Sequence, residues 1–599
     1  MIDTPELTPN ARAVLEARYL ARSDGRISET PDALFRRVAE NVAAPERRYG
    51  GGDADVTRVA ETFRRLMAGL EFLPNSPTLM NAGRPLQQLA ACFVLPVGDS
   101  IPEIFDAVKY AAIIHQSGGG TGFSFSRLRP AADVVHSTGG PASGPLSFMD
   151  VFNAATDAVK QGGTRRGANM GMLRVDHPDI EAFIAAKRDL ARLTSFNVSV
   201  AVTDAFMQAV AARDAFALRH PRDGQVVRAV DAAALFAALV DAAWATGEPG
   251  LVFLDRINAS NPTPAIGAIE ATNPCGEQPL LPYEACNLGS INLTRMFGPG
   301  GVDYAKLGAT VDAAVHFLDN VIDASAYPLP QVTAIVHANR KIGLGVMGFA
   351  DVLFALGVPY DAPEARRLGG EIMRFVQARA VAASEALAVR RGAFPNFARS
   401  RYAAQGARPR RNATVTTVAP TGTLSIIAGC SAGIEPAFAL AFKRRVLDGR
   451  ELVETNPVFE RVARARGFWS EALAQRVART GHVADDPDVP EDARRVFVTA
   501  LAIAPDDHVR MQAAFQAHTE NAVSKTVNLP EDATRADVQR IFRLAYDLGC
   551  KGVTVYRYGS RPRQVLATVQ DDEGQTRAQA NGRWCSACAI PSDHTDHAP

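Results

Sequence analysis

Apolar residues recur at helical spacing through the first seventy positions. Val14, Leu15 and Tyr19 share one face, Leu34, Phe35, Val38 and Val42 a second, and Val59, Phe63, Leu66 and Met67 a third. Thr8-Pro9 and Thr30-Pro31 each set a capping hydroxyl ahead of a proline suited to the first helical turn. From about Glu71 the pattern changes to short apolar runs broken by Gly, Pro and Asn: FLPNSPTLMNAG, ACFVLPVGDS, GGGTGFSFS. These alternate with helical stretches at 147–160 and 365–388, which predicts strands joined by helical crossovers and hence an α/β body. The uncharged run 413–434 is long enough for a membrane span, but its Thr, Ser, Gly and Pro content makes it a buried strand and loop. No internal repeat is visible. The expected organisation is a helical region over 1–72, an α/β body over 73–560 and a flexible tail over 561–599 carrying one CxxC, Cys585 and Cys588.

Composition narrows the class. The 64 basic residues are matched by 64 acidic ones, which argues against a nucleic-acid-binding surface. A hydrophobic content of 47% across 599 residues supplies a large core and excludes a mainly disordered chain. The start MIDTPELTPN has neither a basic nor an apolar signal region, and seven Cys is an odd, small number for a secreted disulfide framework. The expectation is a cytoplasmic protein with no membrane and no nucleic-acid partner.

Three motifs invite misreading. GLGVMG at 343–348 fits GxGxxG, yet the polar HANRK ahead of it replaces the strand that a dinucleotide site needs, so close backbone packing is the better explanation. SGGGTGFS from Ser117 has no Lys after its last Gly and is no Walker A loop. Cys585 and Cys588 with His594 and His597 have the elements of a compact zinc knot, though the loop between them is short for a finger.

The chemistry concentrates in Asn273-Pro-Cys275-Gly-Glu277, followed by Cys286-Asn-Leu288-Gly-Ser. Pro274 and Gly276 resist helix and central strand, so Cys275 sits on a turn. In an extended turn residues two apart point the same way, so an amide, a thiol and a carboxylate can converge on one small ligand. Taken alone, a buried Cys beside a polar loop explains the segment equally well.

The segment does not stand alone. NSPTLMNAG, LAACFVLPVGDSI, GGGTGFSFSRLRP, ASGPLSFMDVF, GGTRRGANMG, NPCGEQPL, EACNLGSINL, RKIGLGVMGFAD, APTGTLSII and GCKGVTVYR run in order from Asn75 to Arg557, within a likeness that spans roughly residues 8 to 560. In these the chain resembles ribonucleotide reductases, specifically the adenosylcobalamin-dependent class II enzymes. The resemblance implies a ten-stranded α/β barrel with a central finger loop, preceded by a helical N-terminal region. It implies Cys275 as the thiyl radical carrier that abstracts the 3′-hydrogen, Glu277 as base on the 3′-hydroxyl, and Asn273 as the residue orienting the sugar. Cys92 and Cys286 would be the reducing pair. Pro420, Thr421, Gly422, Thr423 and Leu424 would cradle the substrate phosphates, with Ser76, Ala91, Cys92, Gly120, Asn273 and Leu288 completing the pocket. Family members often carry Ser where Ala91 stands, which leaves that position a backbone role. Cys585 and Cys588 would re-reduce the buried pair by thiol–disulfide exchange, themselves served by a thioredoxin-like reductant.

The implied radical source is adenosylcobalamin. The chain lacks a glycyl-radical motif, and Val553-Thr-Val-Tyr556-Arg-Tyr558 lacks the adjacent tyrosines of class I. No DxHxxG is present, so no His from that motif would replace the cobalamin's own base. The helix at 147–160 has Phe148, Val151, Phe152, Ala155 and Val159 on one side, which simple core packing explains; the resemblance further implies a homodimer interface formed by such helices. A dNTP effector would be held by Asp99, Ser100, Ile101 and Arg129, and 162–171 would relay its identity to the substrate base. A class I large subunit awaiting a radical-generating partner and a catalytically silent nucleotide-binding regulator are the competing readings. Keeping Cys92, Cys275, Cys286, Asn273 and Glu277 together weighs against the second.

Overall fold

The computed structural model describes residues 7–134, 139–161, 165–298, 300–445 and 451–561. Its N-terminal part holds the helices α1 (Pro9–Arg18), α2 (Pro31–Ala43) and α3 (Asp53–Ala68). Thr8 and Thr30 cap the first two through Ala11 N–H and Ala33 N–H, with Pro in each first turn. The spaced apolar positions bury Leu34, Phe35 and Val38 of α2 and Val59, Phe63 and Met67 of α3.

Ten strands form one sheet: β1 (Phe72–Pro74), β2 (Cys92–Pro96), β3 (Gly120–Ser124), β4 (Asn169–Arg174), β5 (Phe196–Val202), β6 (Gly250–Phe253), β7 (Ala285–Asn292), β8 (Ile342–Met347), β9 (Thr526–Leu529) and β10 (Gly552–Arg557). The strands β2 to β6 run parallel in chain order. The pairs β7–β8 and β9–β10 are each parallel, and this second group meets the first antiparallel, at β7–β2 and β6–β10. The short β1 pairs with β7. Two parallel halves facing opposite ways are thus joined along two seams.

Closure is irregular. Between β8 and β9 lies a segment around Thr414–Val418, joined by single bridges from Leu344 to Thr416 and from Val418 to Val523. It is the same uncharged run that reads as strand and loop, and its end turns into a short helix, Gly422–Ala428. Glycines bring this wall close: a β-carbon on Gly345 would stand 2.5 Å from the Thr417 carbonyl. GLGVMG is therefore mostly a buried barrel strand, and close backbone packing explains its glycines.

The sequence boundaries shift modestly. The helix expected at 147–160 spans Gly144–Ala158, and that at 365–388 spans Pro363–Arg391. Among the described residues no helix is long and apolar enough to cross a membrane.

Candidate active site

The segment 271–280 is a hairpin in which Ala271 pairs with Leu280 and Thr272 with Pro279. Its tip is a tight turn closed by Gly276 N–H to the Asn273 carbonyl at 3.0 Å, with Pro274 and Cys275 at the two central positions. Gly276 has φ +82°, which an L side chain rarely adopts, so the glycine is required by the turn. Asn273 locks the hairpin through its own side chain, whose Oδ1 accepts from Gln278 N–H at 2.9 Å.

Both halves of the barrel grip this finger. From the first half, Asn197 Nδ2 donates to the Pro274 carbonyl at 2.8 Å. From the second, Thr417 Oγ1 and Ala522 N–H both donate to the Glu277 carbonyl, at 2.9 and 3.0 Å. The finger's first strand lies directly on β3: a β-carbon on Gly122 would collide with the Thr272 carbonyl, and one on Gly120 would stand 2.9 Å from Pro274. Gly120 and Gly122 of GGGTGFS are thus the seat of the finger. Sequence reading missed Gly122, Asn197 and Thr417. Gly122 alone had a signal, an isolated glycine inside a strand pattern.

Asn273, Glu277 and Cys92 converge. Asn273 Nδ2 lies 3.2 Å from Cys92 Sγ, and Cys92 Sγ lies 4.0 Å from Glu277 Oε1, all three being buried. Cys275, at the tip, is only half-buried, and beside it the space around Gly276 is open to beyond 4 Å. Cys92 and Cys286 are directly opposite one another where β2 meets β7, both as thiols. Directly paired strand residues have the separation that a disulfide spans. Burial pushes the Cys286 thiol well above its ordinary range, with Lys341 opposing that rise. Its Sγ donates to the carbonyls of Asn287, at 3.3 Å, and Lys341, at 3.6 Å.

The remaining pocket positions surround this centre. Ala91 uses both main-chain groups in the sheet, N–H to the Cys286 carbonyl at 3.1 Å and C=O from Gly120 N–H at 2.9 Å. The Leu288 carbonyl accepts from Asn75 N–H at 2.8 Å, which places the short helix α4 (Ser76–Asn81) against β7. Ser76 Oγ is 2.7 Å from the hydroxyl of Tyr19, a buried residue just past α1. Thr421 precedes the helix Gly422–Ala428 in a left-handed conformation (φ 53°). Its hydroxyl accepts from Gly433 N–H at 2.7 Å and does not cap the helix. Pro420, Gly422 and Thr423 remain partly accessible, while Leu424 packs into the core. The helix α1 packs on this element.

A second cluster lies at the start of α5 (Ile101–Gln116). Asp99 accepts from Arg129 N–H and Nε, at 3.0 and 3.1 Å, and from Arg222 Nε at 2.9 Å. Burial raises the Asp99 carboxyl, but these hydrogen bonds outweigh it and hold the group below its usual range. Ser100 caps α5, and Ile101 and Phe105 stand exposed on it. In α6 (Gly144–Ala158) the core-packing reading holds for Phe152. It packs edge-on at 4.8 and 5.3 Å against Phe123 and Phe125, because the barrel's aromatic cluster buries it more fully than a helix surface can. Residues 162–164 and the tail with Cys585, Cys588, His594 and His597 lie outside the described residues.

The comparisons agree with this architecture. The family model of the ribonucleotide reductase barrel domain matches residues 90–556, and that of the ribonucleotide reductase all-alpha domain matches residues 5–87. A solved structure, the Actinobacillus ureae class Id ribonucleotide reductase alpha subunit, superposes with a TM-score of 0.76 at 23% identity. It covers 92% of this chain and 97% of its own, and it shows the fold. The chain belongs to the ribonucleotide reductase family, and within it to the vitamin B12-dependent ribonucleoside-diphosphate reductases. It is 52% identical to the protein of that name from Mycobacterium tuberculosis over 98% of this chain and 84% of the relative. The Thermoplasma acidophilum counterpart is 48% identical over 94% of this chain and 80% of its own length.

Proposed function

We propose that this chain reduces ribonucleoside diphosphates to 2′-deoxyribonucleoside diphosphates, DNA precursors, with adenosylcobalamin as radical source. The observation that carries the reading is the gripped finger: one accessible thiol at a turn, with an amide, a carboxylate and a second thiol packed behind it. A cofactor that brings its own cobalt needs a reachable thiol more than a set of protein ligands, and the open space beside Gly276 fits that need. When bound, adenosylcobalamin supplies homolysis of its cobalt–carbon bond, the hard step that no side chain can perform.

The chain's own residues do the rest. Cys275 carries the radical and takes the 3′-hydrogen of the sugar. Glu277 accepts the 3′-hydroxyl proton, and Asn273 orients the sugar while its amide also touches Cys92. Cys92 and Cys286 give up two electrons and form a disulfide as the 2′-hydroxyl leaves as water. The turn at 420–424 receives the diphosphate, with Ser76, Ala91, Gly120 and Leu288 completing the nucleotide pocket. Cys585 and Cys588 return the pair to thiols, drawing on a thioredoxin-like protein.

The division into 1–72, 73–560 and 561–599 belongs to the same reading. So do a cytoplasmic location, a homodimer through the helix Gly144–Ala158, and a dNTP effector at Asp99, Ser100, Ile101 and Arg129. The test is anaerobic turnover of CDP with dithiothreitol, with and without adenosylcobalamin, beside Cys275→Ser. Cobalamin-dependent dCDP from the wild type alone is expected. A folded protein without product under any effector would overturn the reading and direct attention to a missing radical-generating subunit.

A further inference from the structure

The mechanism above leaves one fully buried ion pair without a task. Lys341 Nζ donates to Glu284 Oε2 at 2.6 Å, and neither side chain is exposed by more than 1%. Glu284 is fixed from other directions as well: Asn339 Nδ2 donates to its Oε1 at 2.7 Å and Leu281 N–H to its Oε2 at 2.8 Å. Such a pair loses hydration on both partners, and apolar residues would pack the wall at least as well. Its position gives it a use. Asn287 pairs with Ile342 in the parallel register of β7 and β8, so Cys286 lies beside Lys341. On its other side Cys286 pairs with Cys92. Cys92, Cys286 and Lys341 thus form one row across the interior wall, with Glu284 two residues along on the same face. The Cys286 thiol also donates to the Lys341 carbonyl at 3.6 Å.

The charges around Cys286 are unequal. Glu277 and Glu284 act against a negative sulfur, and Lys341 favours one. The buried phenol of Tyr327 is also close enough to feel Cys286. Beyond Lys341 stand Lys551 and Glu520, which share a cavity of only about 10 Å³ with it. A thiolate formed at Cys286 has little water to stabilise it, so a neighbouring ammonium carries the weight.

We propose that Lys341, held by Glu284, is a positioning charge for the Cys286 sulfur that stabilises the thiolate leaving when the Cys92–Cys286 disulfide is reduced. This rests on the reading of Cys92 and Cys286 as the reducing pair. A dithiol reductant attacks Cys92 Sγ as a thiolate; the S–S bond to Cys286 breaks and its electron pair stays on Cys286. The reductant's second thiol then displaces Cys92 and closes the reductant as a disulfide. Two electrons pass to the protein, and the two protons of the reductant end on Cys92 and Cys286.

The test uses the full chain oxidised with diamide and reduced with dithiothreitol, quenched by alkylation, with Cys92 and Cys286 followed by peptide mass spectrometry. Lys341→Met is expected to slow their reduction at least tenfold, more than it slows the first turnover of pre-reduced enzyme. Lys341→Arg should stay within about threefold of wild type. Glu284→Gln should accelerate reduction, since it removes the opposing anion. A purely structural role would instead slow reduction in both Lys341→Met and Glu284→Gln, and that result would overturn the inference. The double variant Lys341→Met/Glu284→Met leaves no unpaired buried charge; reduction at least tenfold slower than in Glu284→Gln alone supports the proposal, and a rate equal to that of Glu284→Gln contradicts it. Failure of the underlying reading shows separately: after one turnover of CDP, peptide mapping would find no Cys92–Cys286 disulfide.

Discussion

Cys275 and the Cys92–Cys286 pair are held in opposite manners. The first sits on a two-residue tip, half-buried, with open space beside the turn. The other two are buried and directly paired across an antiparallel seam between the two halves of the barrel. A thiol that must exchange a hydrogen atom with a cofactor and a sugar has to be reachable from outside the wall. A dithiol that must deliver two electrons to one carbon has to be dry and fixed in spacing. On the proposed reading the contrast fits the two tasks, and the Asn273 side chain touches Cys92 from the finger.

Several changes would break or sharpen that contrast. The largest effect is expected of Cys286→Ala, which should abolish sustained dCDP formation with dithiothreitol while leaving circular dichroism unchanged. Glu277→Gln removes a proton acceptor but keeps the hydrogen-bonding shape, and kcat should fall by about 10²–10⁴. In native reduced protein, iodoacetamide at pH 8 should label Cys275 at least tenfold faster than Cys92 or Cys286, since burial pushes the Cys286 thiol upward. Equal labelling of the three would erase the distinction.

Smaller effects concern the wall. Asp319 is fully buried and receives Arg340, Arg391 and Arg411 at 2.8, 3.0 and 3.4 Å, an assembly that joins Tyr49 of the N-terminal part to the barrel through Arg411. Asp319→Asn leaves these arginines short of charge and should cost about 3–5 kcal/mol in denaturant unfolding. Lys551 donates to the carbonyls of Glu520 and Asn521, and burial pulls it down to about 7. A base whose folded pKa is lowered disfavours the folded state below that pKa, and the penalty is relieved as pH rises toward 10.5. Relative to Lys551→Met, wild type should therefore gain stability between pH 7 and 10, by up to about 1.4 kcal/mol per pH unit. A flat difference would contradict the assigned burial of that charge.

Much of this was legible in the chain. Pro274 and Gly276 dictate the turn under Cys275, and Thr8 and Thr30 dictate the first helix starts. These signals are local, each resting on a residue that restricts its own backbone. The partnership of Cys92 with Cys286 is not local, since 193 residues separate them and only the antiparallel seam brings them level. Family resemblance supplied that pair, where residue patterns alone could not. The segment near Thr414–Val418 reads as buried strand and loop, but nothing local shows that it closes the barrel, because that depends on single bridges to Leu344 and Val523. Phe152 left two readings open because helical spacing shows which residues share a face but not whether that face meets the barrel or solvent. Lys341 and Glu284 went unnoticed as charges bordering apolar runs, Lys341 directly behind Arg340.

The most direct test of the division between radical thiol and reducing pair is one turnover without reductant. Pre-reduced protein is mixed anaerobically with CDP and adenosylcobalamin, quenched by alkylation and mapped. With Cys585 and Cys588 changed to Ser, the account predicts about one dCDP per chain, a disulfide joining Cys92 to Cys286, and Cys275 recovered as the alkylated thiol. Product formed with Cys92 and Cys286 still reduced, or a disulfide that includes Cys275, would contradict it.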